Sequence, residues 1–217
     1  MGAIARSAAN NITTSGVFTS GAIANASVTG ITVLAGASAD GITLISSQTA
    51  SASASISFTT GLDSTYKAYK FVFSNIHIAT DGAEFTFNGS TDSGSNYNVT
   101  KTTTYFLAEH DEAGTSGTSS YQTARDLAQS TDFQDLGVDL GNDNDHASNG
   151  SLIIFNPSST TYVKHFICTL QQSHQNDLSL VGHIAGYFNT TSAINAIQFK
   201  MNSGNIDAGT IYLYGIK

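Results

Sequence analysis

The chain has 217 residues, of which 40% are hydrophobic and only 11% charged, against about 25% charged in an ordinary globular domain. Its net charge is −8, with eight Lys and Arg and no basic run, which argues against a nucleic-acid partner, because that affinity rests on clustered basic side chains. One cysteine, Cys168, excludes an intrachain disulfide framework, and a chain of this length buries roughly 70% of its unfolded surface without one.

The first forty residues form a segment apart. Up to Leu62 the only charged side chains are Arg6 and Asp40. Arg6 is followed by Ser and Asn rather than by an apolar core, so no cleaved secretion signal is expected. No apolar run approaches the ~20 residues that cross a bilayer, so a soluble chain made in a cytosol, with no membrane partner, is expected. Short apolar beats (Ile12, Val17-Phe18, Ile23, Val28, Ile31, Val33-Leu34) are separated by small and polar residues. None is long enough for a strand with its own core. Residues 1–40 are therefore read as an extended arm that buries these side chains against another chain, in preference to a linker.

From Gly41 the pattern is that of strands. Thr43–Ser47 and Ser51–Thr59 lead in. Tyr69, Phe71 and Phe73 alternate with Lys70, Val72 and Ser74, the period of a half-buried strand. Phe85 and Phe87 share one face of Glu84–Asn88. Further strands are predicted over Tyr97–Leu107, Ser151–Phe155, Tyr162–Leu170, Leu178–Phe188, Ala193–Met201 and Thr210–Ile216. Turns are expected at Asp81-Gly82, Asn88-Gly89, Asn149-Gly150, Asn156-Pro157 and Ser203-Gly204-Asn205, and a short helix at Tyr121–Gln129. Ser64-Thr65 precedes Phe71 as Ser159-Thr160 precedes Phe166, an echo that suggests two similar sheets. The fold class is therefore all-β: an antiparallel, jelly-roll-like β-sandwich over 41–217 behind the arm.

Three stretches carry a resemblance: Phe58-Thr59-Thr60-Gly61-Leu62 with Tyr66 and Tyr69-Lys70-Phe71; Ser90-Thr91-Asp92-Ser93-Gly94-Ser95-Asn96-Tyr97; and Phe199 with Ser203 through Gly215. Together they resemble a group of tailed-bacteriophage virion proteins of marine phages and cyanophages, of the tail-fibre-like or capsid-decoration kind. The resemblance spans roughly 41–217. It implies a virion location, a homo-oligomer (a trimer), other virion proteins as partners through residues 1–40, and a host surface receptor for a fibre. It carries over no catalytic residue. Its motifs read as fold-specifying: Gly94 permits a positive φ in a tight turn, Asp207-Ala208-Gly209-Thr210 turns the chain into the last strand, and Leu213 is buried with Tyr212 and Tyr214 on the opposite side.

Candidate chemistry is sparse. The six histidines (His77, His110, His146, His165, His174, His183) include no His-x-x-x-His pair, and no Cys-x-x-Cys occurs, so zinc spacing is absent. His165 and His183 fall in strands as surface or satisfied core residues. Asp139-Leu140-Gly141-Asn142-Asp143-Asn144-Asp145-His146 offers oxygens suited to calcium, but without the Gly and distant Glu of an EF-hand it is read as a loop. Glu109, Asp111 and Glu112 beside His110 could resemble glycosidase carboxylates; a solvated loop running into Gly114–Ser120 is the preferred reading. No Gly-x-Ser-x-Gly and no phosphate loop occurs, and a glycan platform without Trp would rest on the nine Tyr. Cys168 in its apolar run reads as a buried thiol. The expectation is a non-enzymatic virion structural protein with no catalytic, cofactor or metal site, the alternative being an adhesin that binds or degrades host-surface glycan.

Overall fold

A computed structural model describes residues 41–217, and the expected arm lies outside the described residues. They form twelve strands: β1 Ile42–Thr49, β2 Ile56–Phe58, β3 Ala68–Ile78, β4 Phe85–Ser90, β5 Lys101–Asp111, β6 Gly117–Tyr121, β7 Gln134–Gly137, β8 Ser148–Phe155, β9 Lys164–Ser173, β10 Leu178–Phe188, β11 Ala196–Met201 and β12 Ile206–Ile216. Eight make one antiparallel sheet in the order β1-β12-β3-β8-β9-β10-β5-β6, and four make a second in the order β2-β11-β4-β7. The predicted all-β antiparallel sandwich is the observed one.

Alternation along the strands builds the core. Phe71 and Phe73 of the large sheet and Phe58, Phe85, Phe87 and Phe199 of the small sheet are buried between the two layers. Phe199 is the hub: its ring lies 5.2 Å from Phe71, 5.3 Å from Phe73 and 5.8 Å from Phe85, arrangements worth about 0.5–1.5 kcal/mol per pair beyond burial. Leu213 is buried while Tyr212 and Tyr214 stand on the other side, as the sequence predicts. Cys168 is fully buried, and burial pushes its thiol pKa far up; the thiolate needed for reactivity is suppressed.

The outer face of the large sheet is ordered in rows across the strands. The first row runs Ile42, Ile216, Ala68 and Phe155, then His165, Tyr187 and Thr102. The second runs Leu44, Tyr214, Lys70, Ile153, Ile167, Ala185 and Thr104. The third runs Ser47, Tyr212, Val72, Ser151, Thr169, His183, Phe106 and Tyr121. Further along lie Thr49, Thr210 and Ser74, and Gln171, Val181, Ala108 and Ser119. The face therefore grades from apolar at one end to polar at the other.

Several local expectations are corrected. Tyr121–Gln129 is not a helix: Tyr121 closes β6, and the segment after it lies along β5, with Leu127 N donating to Thr103 Oγ1 at 2.8 Å and Ser130 N to Lys101 O at 3.0 Å. These lateral partners take the donors a helix would use. Glu109–Asp111 and Gly117–Ser120 belong to the β5–β6 hairpin rather than to a loop. Asn149-Gly150 is no turn but part of β8, where a Cβ on Gly150 would lie 2.8 Å from Leu170 Cα; close packing, not turning, requires the glycine. Asp207–Thr210 lies inside β12 as a double bulge, with Gly209 at φ +111°. Phe71 and Phe166, the two ends of the sequence echo, sit in one sheet on β3 and β9, not in two. The strand β7 has no counterpart in the sequence prediction.

Candidate functional site

The acidic run from Asp139 to His146 is divided by the fold among three settings. Asp139 Oδ2 faces Arg125 at 3.4 Å, and the same guanidinium meets Glu84 and, at 3.4 Å, Asp135. Arg125 thus ties the residue before β4, β7 and the loop after β7 together. Burial raises the Asp135 pKa, and the Arg125 charge opposes that rise.

Asp143 and His146 stay together and are joined by Asp177 from the β9–β10 hairpin. One ligand-type atom from each lies within 4.8 Å of the others. Two backbone bonds bring the loops into contact: Gly141 N donates to Ser173 O at 3.1 Å and Gln175 N to Asp139 O at 3.0 Å. Asp177 adopts φ +57° in that hairpin. His146 Nδ1 is buried without a hydrogen-bond partner, pressed against Gly141, where a Cβ would have no room. Asp177 is the residue that sequence reading missed, since it is far from the run and only the hairpin contact brings it in.

Asp145 faces a third setting, an open hollow of about 540 Å³ that is lined also by His146, His77, Asp207 and Asn75. There His77 Nδ1 is 3.5 Å from Asp207 Oδ2, and its Nε2 lies 3.2 Å from the Asp143 carbonyl oxygen. Asp143 and His146 are thus the members of the expected run that share a cation-type geometry, and two carboxylates with one imidazole differ from the six to eight oxygens calcium takes.

The hairpin carboxylates have structural partners. Asp111 accepts from Thr115 N at 2.8 Å and Ser116 N at 3.0 Å, and the Thr115 and Ser116 bonds hold its pKa below the usual carboxylate range. Glu109 accepts from Thr118 Oγ1 at 3.2 Å, and His110 Nδ1 lies 2.8 Å from the Asp111 carbonyl oxygen. These contacts shape the turn around Gly114. Of the remaining histidines, His174 Nδ1 accepts from Asn176 N at 3.0 Å, while His165 and His183 stand exposed on the outer face of the large sheet.

That face carries a second concavity, a groove of about 370 Å³ with Phe155, Ile167, Tyr187, Ala185 and Thr104 among its walls. It is predominantly apolar, and its walls come from the first two rows. Ile167 is 51% exposed and Phe155 41%. Sequence reading places these residues in strands but not beside one another, because cross-strand register is what assembles them.

Buried polar groups elsewhere act as internal ties. Lys101 Nζ donates to Asn88 Oδ1 at 2.8 Å, to Asp132 O at 2.6 Å and to Val99 O at 3.1 Å. Burial pushes its pKa down to about 7, with the Asp132 charge opposing. Thr103 Oγ1 donates to Gln134 Oε1 at 2.5 Å, and Gln172 in β9 exchanges bonds with both backbone groups of Val138. Comparison with protein-family models, curated proteins and solved structures finds no match for the chain.

Proposed function

We propose that the chain is a non-enzymatic structural protein on the exterior of a tailed-phage particle, a fibre-like or capsid-decoration protein that works as a homo-oligomer and attaches to other virion proteins through residues 1–40. The observation that carries this reading is the fate of the three resembling stretches, which meet in one packed unit. Phe58 of the first lies 5.3 Å from Phe71 and 6.4 Å from Phe199 of the third. Gly94 of the second, at φ +88°, leaves a Cβ only 2.8 Å from Thr59 Cγ2 and 2.7 Å from the Tyr97 hydroxyl. What these motifs share is packing and turn geometry, the properties of a scaffold.

The Arg125 node, the Lys101 tie and the Asp111 turn support the same reading, because each polar group answers a neighbour inside the fold. Assembly would bury apolar side chains of residues 1–40, each contributing on the order of 1.5–3 kcal/mol before ordering costs. Imaging of purified particles labelled with an antibody to this chain tests the proposal. Label at the capsid or at the tail is expected, and either distinguishes decoration from fibre. Particles without label, from cells that produce the chain, overturn it. Removing residues 1–40 is expected to leave a folded sandwich that no longer joins the particle.

A further inference from the structure

We infer that the apolar end of the large sheet's outer face is a docking surface for the same face of a second copy of this chain. The inference rests on the homo-oligomeric reading above and names the surface that would serve it. The outer face of an antiparallel sheet ordinarily alternates with the core as its polar, solvated side. Here the first two rows break that rule, with Phe155, Ile153, Ile167, Tyr187, Ile42 and Leu44 facing outward.

The size fits a partner of protein dimensions. Seven strands about 4.8 Å apart and three rows about 7 Å apart span about 700 Å², of which the two apolar rows make about 470 Å², and two copies meeting over all three rows bury about 1,400 Å². That is toward the lower end of what specific interfaces bury, about 1,200–2,000 Å². An exposed apolar patch of several hundred Å² is often functional.

Charge and relief favour a second copy as the occupant. The chain carries a net charge of −8, yet the only Asp, Glu, Lys or Arg in the three rows is Lys70, so two such faces meet without opposing carboxylates. The face also holds its own knob and hollow. Ile167 and Phe155 are large and exposed, and together with the smaller Ala185 and Thr104 they line the groove. A symmetric contact places one patch against itself, so each copy's knobs can fill the other's hollow.

The test is the mass of the full-length chain in solution, by light scattering and sedimentation, for three proteins: the unmodified chain, Ile167→Asp and Gln171→Asp. Both substitutions lie exposed on the same face of β9, four residues apart, so folding is unaffected, and a thermal melt of each confirms it. The unmodified chain and Gln171→Asp are expected at twice the 22.6 kDa of one chain and Ile167→Asp at one, whereas a threefold mass counts against a patch that meets itself. Association of Ile167→Asp is expected to weaken by at least about thirtyfold, as for loss of a hot-spot residue. A monomeric unmodified chain, or an Ile167→Asp oligomer as tight as the unmodified one, overturns the inference. Phe155→Asp repeats the measurement should Ile167→Asp melt early. A monomer that still labels particles removes this surface and leaves the structural role. Face-dependent oligomers absent from particles do the reverse.

Discussion

The Nζ of Lys101 in β5 sits 2.8 Å from the Oδ1 of Asn88 in β4, so a fully buried cation joins the two sheets. Asn88 in turn donates from Nδ2 to the Thr131 carbonyl oxygen at 2.9 Å and accepts from Gly89 N at 2.8 Å. With Val99 O and Asp132 O, all three ammonium hydrogens have acceptors. Lys101→Met keeps the length of the side chain and removes the ammonium donor from all three acceptors, leaving Asn88 Oδ1 with Gly89 N and Asp132 O with a long 3.4 Å bond from Asn88 Nδ2. A loss of about 1–3 kcal/mol is expected, read by urea denaturation. An unchanged midpoint would show that water serves these acceptors equally well.

The same lysine gives stability a defined pH slope. Burial lowers its folded pKa to about 7 from 10.5. Below about pH 7 the group is charged in both folded and unfolded chains, and the desolvation penalty is present in full. Between about 7 and 10.5 the unfolded chain holds a proton that the folded chain has released, so stability rises with pH. Melting temperatures of the unmodified chain should therefore gain on those of Lys101→Met as pH is raised from about 7 to about 9.5. Parallel curves for the two proteins would place the lysine's titration elsewhere.

Tyr69, Phe71 and Phe73, or Ile211 and Leu213, could be assigned to the core from sequence because period-two alternation reports the two faces of a strand directly. Residues whose role depends on register were not legible in that way. Phe155, His165 and Tyr187 are ordinary strand residues in sequence, and cross-strand pairing alone makes them neighbours. Asp177 joins Asp143 and His146 only through the contact between two loops. Tyr121–Gln129 has helical composition, but its amides bind β5, a tertiary preference that local propensity does not carry.

Gly150 shows why a turn-like dipeptide can belong to a strand. Its missing Cβ lets β8 lie against Leu170 of β9, where a methyl group would come within 2.8 Å of Leu170 Cα. The backbone of a central strand cannot yield by that much without loss of ladder bonds. Gly150→Ala should cost about 1–3 kcal/mol as an overpacking change. Gly114→Ala tests the contrast: it sits on an open hairpin tip with nothing within 4 Å, and strain at φ +69° is its sole penalty. If both variants melt alike, crowding at β8 is not what selects glycine there.

Phe199 offers the largest expected effect, because one side chain from the small sheet serves rings on both layers. Phe199→Ala removes contacts to Phe58, Phe71, Phe73, Phe85 and Phe87 together, and a loss of about 3–5 kcal/mol follows for a buried aromatic truncation. Phe199→Leu keeps much of the volume and should recover part of it. A denaturation series of the two would separate cavity formation from loss of ring geometry. Equal stability of the Ala and Leu variants would mean that the layers close over the gap, and that Phe199 is not the hub.

Calcium should leave the protein's stability nearly unchanged. Any ligand that binds the folded state raises the melting temperature in proportion to RT ln(1 + [L]/Kd), so a calcium loop would announce itself at millimolar ion. The run that suggests such a loop has been parted by the fold: Asp139 faces Arg125, Asp145 faces the His77 hollow, and Asp143 with Asp177 supplies two carboxylates beside an imidazole. That is fewer oxygens than the ion's usual six to eight. Melting curves with millimolar calcium and with chelator should therefore superimpose. A rise of several degrees that disappears in Asp143→Asn would reverse the assignment and make the β7–β8 loop a cation site.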